Sequence, residues 1–126
     1  MEKELAKIKI LHVDDEPDTL NIVKTILEKE GYDVVSVLNG SDALKHINLN
    51  GFSLIISDIM MPDMSGWDLF TCITKVKPEY KVIFLSIFDI SPEKLKEIQA
   101  AGIKDYIKKP FSLNDFVSRV KKVLAE

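Results

Sequence analysis

Apolar runs and helix-spaced apolar residues alternate five times along this chain, and that alternation leaves few ways to fold it. Residues 8–13 are nearly continuous in Ile, Leu and Val, the pattern of a strand buried on both faces. Pro17 suits a first helical turn, Leu20, Val23 and Leu27 follow at helical spacing, and Gly31 ends the pattern. Residues 33–38 read as a second strand. Asn39-Gly40-Ser41 is a turn, with Ser41 expected to cap a helix carrying Ala43, Leu44 and Ile47. Residues 52–57 form the third strand, and a loop rich in Met and Pro leads into a helix with Leu69, Ile73 and Val76, closed by Pro78. A fourth strand spans 81–86. Ser91-Pro92 opens a helix with Leu95, Ile98 and Ala101 that Gly102 ends. A fifth strand spans 105–108. In the last helix Ser112 and Asp115 resemble a capping box, and Leu113, Val117, Val120 and Leu124 are expected to line the apolar face.

Strict strand–helix alternation implies a parallel sheet covered on both faces. Right-handed crossovers then give an α/β fold: a doubly wound five-stranded parallel sheet with five helices in a three-layer α/β/α sandwich. At 126 residues this is one domain, 1–126, with a core about 8–125 and no leftover length for a second unit. The starting Met1 and the lack of a trailing linker favour a stand-alone protein over a piece of a larger regulator or hybrid kinase.

Ligands of such sheets bind outside the carboxyl ends of the strands. Strand one ends in Asp14-Asp15-Glu16, strand three in Asp58, strand four in Ser86 and strand five in Lys109-Pro110. Carboxylates, a hydroxyl and an ammonium therefore meet on one rim. Clustered carboxylates raise one another's pKa unless a cation joins them, and an all-oxygen donor set suits a hard cation such as Mg²⁺. A central carboxylate can act as a nucleophile toward phosphorus, and phosphoryl transfer demands mainly positioning and charge neutralisation.

Four ordered motifs give the chain a close resemblance to the receiver domain of two-component response regulators: Val13-Asp14-Asp15-Glu16-Pro17; Asp58-Ile59-Met60-Met61-Pro62-Asp63-Met64-Ser65-Gly66; Leu85-Ser86; and Tyr106-Ile107-Lys108-Lys109-Pro110-Phe111. The resemblance covers essentially the whole chain and implies the flavodoxin-like strand order 2-1-3-4-5. It implies that Asp58 accepts a phosphoryl group from a phosphohistidine. Asp15 would be a direct ligand of Mg²⁺ (or Mn²⁺), with Asp14 assisting, Asp58 also counted among the metal-holding residues and Met60 offering its backbone carbonyl. Lys109 would pair with Asp58 and then with the phosphoryl oxygens, Ser86 would be the switch hydroxyl and Tyr106 the switch aromatic. It also implies a cis Lys109–Pro110 bond. The expected partners are a sensor histidine kinase or histidine phosphotransfer protein and a downstream protein target that reads the surface of helix four, strand five and helix five. Such a module is not an enzyme beyond its own phosphoryl transfer and dephosphorylation. Family members carry a small residue after the switch hydroxyl, where this chain has Ile87 and then Phe88; with Met60 they are expected to hinder water and lengthen the life of the phosphoryl group.

Composition narrows the alternatives. The net charge is −3, and Arg119 is the sole arginine among 17 basic residues, so direct nucleic-acid binding is not expected. No charge-free run is long enough to span a membrane, and Met1 to Ile10 lacks a signal-peptide core. Cys72 is the sole cysteine, which excludes an internal disulfide and suits the cytoplasm; its expected role is packing. His12, inside a buried strand, is expected to be a satisfied core histidine, and His46 to lie on a polar helix face. Trp67 is expected to shield the start of its helix. A dehalogenase-type phosphatase needs an Asp two positions after its nucleophile, where this chain has Glu16. A flavin site needs a Ser/Thr/Gly-rich loop where it has acid. A receiver fold used purely for phosphorylation-independent docking is the remaining alternative, and the complete acidic, Ser and Lys set argues against it.

Overall fold

The structure, a computed structural model, describes residues 7–49 and 51–126; the expectations for the first six residues lie outside that range. Ten elements alternate without exception: β1 (Lys9–Val13), α1 (Pro17–Lys29), β2 (Asp33–Val37), α2 (Gly40–Leu49), β3 (Leu54–Ser57), α3 (Gly66–Val76), β4 (Val82–Ser86), α4 (Pro92–Ala100), β5 (Asp105–Lys108) and α5 (Leu113–Ala125). All strand pairs are parallel, in the order β2-β1-β3-β4-β5. The flavodoxin-like expectation holds. Several strands start one or two residues later than the apolar runs that announce them, although Ile8, Ser53 and Lys81 just ahead of them still make single backbone hydrogen bonds to the neighbouring strand.

Two apolar clusters divide at the sheet, as side-chain alternation along each strand demands. Ile10, Val34, Ile56, Ile83 and Ile107 face α1 and α5, where Val23, Leu27, Phe116, Val120 and Val123 cover them. Leu11, Val13, Ile55, Val82 and Phe84 face the other side, under α2, α3 and α4.

Helix ends mostly follow their sequence signals. Ser65, Ser91 and Ser112 each accept the backbone N–H three residues on. Gly31, just past α1, sits at φ 93°, a left-handed conformation that favours glycine. Three expectations need correction. Ser41 lies inside the first turn of α2 rather than capping it: the Asn39 side chain accepts the Asp42 N–H at 2.8 Å. Asp63, across the fold, takes the N–H groups of Gly40 and Ser41 and the Ser41 hydroxyl. Asp115 donates its N–H to Ser112 but turns its carboxylate to Arg119, so the box is one-sided. The buried stripe of α5 is Phe116, Val120 and Val123, and Leu113 is 57% exposed. Among the described residues no helix is long and apolar enough to cross a membrane.

Candidate functional site

The rim at the carboxyl ends of the strands is set by the sheet's own hydrogen bonds. Asp14 donates its N–H to Val37, Asp58 to Val13, and Lys109 to Ser86, so each functional residue hangs from the last carbonyl of a neighbouring strand. This extends the ladder by one residue and brings together side chains up to 95 positions apart. Asp14 is fully buried. Its Oδ1 accepts the Glu16 N–H at 3.0 Å, and its Oδ2 accepts Lys109 Nζ at 3.1 Å. Lys109 also lies 3.7 Å from Asp58 Oδ2 and 3.6 Å from Glu16 Oε1. The Lys109–Pro110 bond is cis. Carboxylate oxygens of Asp14, Asp15 and Asp58 all lie within 4.8 Å of one another.

Electrostatics distinguish these groups. Burial, reinforced by the Asp14 charge, pushes the Asp58 carboxyl above its ordinary value; Lys109 and the N–H groups of Ile59 and Met60 oppose that. Burial works against the Lys109 ammonium, but its hydrogen bond to Asp14 and the charges of Asp14, Asp58 and Glu16 outweigh that and raise its pKa. Three crowded carboxylates face one ammonium, and a divalent cation relieves the excess. The all-oxygen donors are of the type Mg²⁺ takes, so the residues present fit that ion. The Met60 side chain is exposed, which leaves its backbone carbonyl as the only part suited to a metal.

Ser86 and Tyr106 stand beside this cluster. Both are buried, and one residue links them through its two backbone groups: the Phe88 N–H donates to Ser86 Oγ at 3.2 Å, and the Tyr106 hydroxyl donates to the Phe88 carbonyl at 2.6 Å. Ile87, Phe88, Met60 and Glu16 line a hollow of about 250 Å³ together with Asp15, Asp58 and Lys109. The bulk after Ser86 therefore does border the acidic cluster. On the far side of Phe88, an apolar cavity of about 480 Å³ opens beneath α4, walled by Ile59, Trp67, Phe84, Ile98 and Tyr106. Trp67 tilts against Phe70 and Phe84, as a shield for the start of α3 would. Cys72 is half-buried and unbonded to sulfur.

Some site residues were not legible as such. Glu16 reaches Lys109 from the cap of α1, an ion pair that its position in an acidic run does not reveal. Gly66 donates its N–H to the Ile59 carbonyl at 2.7 Å, and a Cβ there would collide with the Asp58 carbonyl oxygen. It is the residue that lets α3 start against the Asp58 backbone. Asp63 ties the same loop to α2, and its hydrogen bonds from Ser41 hold its pKa down. The expectation for His12 is corrected in part: the ring is fully buried, but neither nitrogen has a hydrogen-bond partner. His46 is half-buried rather than set on a wholly polar face.

Comparison with known proteins points the same way. A family model described as the response regulator receiver domain matches residues 10–121. The uncharacterised transcriptional regulatory protein YkoG of Bacillus subtilis is 31% identical over 97% of this chain and 53% of its own length. This chain spans about half the length of the first curated relatives it matches. A CheY-like receiver domain protein from Methanospirillum hungatei superposes with a TM-score of 0.86 at 33% identity, covering 95% of both chains. The response regulator TrrA of Thermotoga maritima, solved in complex with Mg²⁺ and BeF, gives a TM-score of 0.81 at 32% identity, covering 92% of this chain and 98% of that one.

Proposed function

The chain belongs to the response regulator receiver family of two-component signalling, and from that premise we propose that it accepts a phosphoryl group on Asp58 in a Mg²⁺-dependent reaction. The observation that carries this reading is the convergence of Asp14, Asp15 and Asp58 oxygens within 4.8 Å, with Lys109 bonded to Asp14 and 3.7 Å from Asp58. An Asp58 carboxylate oxygen attacks the phosphorus of a donor phosphohistidine. The new O–P bond forms as the P–N bond breaks, and the imidazole leaves with the electron pair. Asp14, Asp15, Asp58 and the Met60 carbonyl would hold Mg²⁺ (or Mn²⁺), which when bound neutralises charge on the transferring group. Lys109, already charged and within 3.7 Å of Asp14, Glu16 and Asp58, turns from Asp14 toward the phosphoryl oxygens. The Ser86 hydroxyl, joined to Tyr106 through the backbone of Phe88, swings to the same group.

That movement has a route outward. Drawing Ser86 Oγ inward removes the acceptor of the Phe88 N–H, and the Phe88 carbonyl holds the Tyr106 hydroxyl. The loop before α4 and the ring under it therefore move together and reshape the α4–β5–α5 face. The donor is a sensor histidine kinase or histidine phosphotransfer protein, the reader of that face is a downstream protein, and the setting is the cytoplasm. Ile87, Phe88 and Met60 at the mouth of the hollow hinder attacking water, so the phosphoryl group is long-lived. Residues 1–126 act as a single receiver unit.

Incubation with Mg²⁺ and beryllofluoride, with Asp58→Asn as control, tests the central reading. Binding by the wild type alone is expected; binding by neither protein sinks it. Decay of the purified phosphoprotein against Ile87→Ala tests the steric part, and equal lifetimes reject it.

A further inference from the structure

His12 is an anomaly in its layer. By alternation along β1 it shares a face with Ile10, and its register neighbours are Ser36 on β2 and Ile56 on β3. Apart from Ser36 that face is apolar around it and covered by α1 and α5. An aliphatic residue would fill the place without leaving ring nitrogens unpartnered, and a buried polar group without a partner costs about 1–3 kcal/mol. The ring is fully buried in the layer. Its Nε2 lies 3.9 Å from Asp14 Oδ2, the same oxygen that Lys109 occupies at 3.1 Å.

We propose that His12 is a positioning residue for Asp14, a neutral donor held in reserve that takes over Asp14 Oδ2 when Lys109 leaves it for a phosphoryl group. The inference rests on the function proposed above. The tautomer follows from electrostatics: a lone pair on Nε2 facing a carboxylate oxygen repels it, whereas an N–H attracts it. The Nε2–H form is selected, which leaves Nδ1 as an acceptor. Ser36, opposite His12 in the ladder, has a buried hydroxyl that likewise lacks a partner, and it is the neighbouring donor for Nδ1 in that tautomer. While Lys109 holds Asp14, the Nε2–Oδ2 gap is too long for a hydrogen bond. Once Lys109 swings away, Asp14 is a fully buried carboxylate with one oxygen stripped of its donor, and a shift of about 1 Å closes the gap. Asp14 then keeps its orientation through the change of partner, as metal-ligating carboxylates do when an outer hydrogen bond fixes them.

The test uses the full chain labelled with ¹⁵N-histidine. There are two histidines, and a His46→Gln variant assigns them. With Mg²⁺ and beryllofluoride, His12 should remain neutral with its proton on Nε2, and that proton should move downfield relative to the unliganded protein. A proton on Nδ1, or an Nε2 proton that does not respond, overturns the proposal. In parallel, Mg²⁺ titrations followed by Trp67 fluorescence compare wild type, His12→Leu and His12→Gln. In the presence of beryllofluoride His12→Leu should bind Mg²⁺ about tenfold more weakly, with most of the loss restored in His12→Gln. Without beryllofluoride the three should agree within about twofold, because Lys109 still holds Asp14. Equal affinities with beryllofluoride, or equal losses with and without it, overturn the proposal, the second outcome marking a merely structural role. A wild type that forms no beryllofluoride complex fails the phosphoryl-acceptor reading itself and takes this inference with it.

Discussion

The helices α4 and α5 flank the same strand, β5, yet they are held very differently. From α5, Phe116, Val120 and Val123 sink into the sheet, and Phe116 stacks on Phe111 at 4.5 Å between ring centroids. Lys81 caps the far end of α5 through the carbonyls of Val123 and Glu126, and Arg119 ties it to Asp105. From α4 only Ile98 is buried, and the cavity of about 480 Å³ lies beneath it. Helices with few buried apolar contacts open most readily. The contrast places a firm layer behind Asp14 and Lys109 and a loose element next to Ser86 and Tyr106, the arrangement that the proposed switch calls for.

The largest effect that tests this contrast is chemical. Asp58→Asn should abolish phosphorylation, and with it any phosphorylation-dependent change in hydrogen exchange of α4, while α5 exchange stays as in the wild type. A response of α4 in that variant would uncouple the loose element from the site. Next comes packing: Phe116→Ala should cost about 3–5 kcal/mol in chemical denaturation, whereas Ile98→Ala, which already borders a cavity, should cost about 2 kcal/mol. Equal costs would erase the asymmetry. Native-state exchange of α4 amides should report opening free energies at least about 1.4 kcal/mol below those of α5, a tenfold difference in opening.

Smaller effects follow from charge and exposure. The folded Asp58 pKa is raised, by burial first and by Asp14 second, so the folded state holds its proton more tightly than the unfolded chain does. The associated stability is fully present below the unfolded value of 3.8 and is lost as pH rises through the folded pKa. Asp58→Asn should therefore melt above the wild type at pH 7, and the gap should close as pH falls toward 3.8; a gap of the opposite sign would mean that Lys109 dominates. Leu113→Ser, at an exposed apolar position of α5, should change stability by no more than about 0.5 kcal/mol. A larger loss would restore the sequence-based face of that helix.

The positions where sequence reading and structure part share one cause. Leu113, Val117, Val120 and Leu124 form a helical stripe as plausible as Phe116, Val120 and Val123, and periodicity cannot choose between two stripes that share Val120; the angle at which α5 docks on the sheet does. Ser41 has the right chemistry to cap α2, but Asp63, 22 residues away, claims its N–H and hydroxyl, which leaves the cap to Asn39. His12 looked like an ordinary core residue because its relation to Asp14 and Lys109 depends on distances across the end of the sheet.

What the sequence by itself determined was the order of elements and the identity of the rim. A strand's apolar run ends where its polar residue begins, and in a parallel sheet all those ends lie on one side. Asp14, Asp58, Ser86 and Lys109 were therefore placed together without any knowledge of contacts. Tertiary structure alone decided who holds whom. Lys109 rests on Asp14 rather than on Asp58, Phe88 joins Ser86 to Tyr106 through its backbone N–H and carbonyl, and Gly66 admits α3 to the Asp58 backbone. These are choices among partners of like chemistry, and only distances of a few tenths of an ångström to about one ångström separate them, a scale that composition and spacing do not carry.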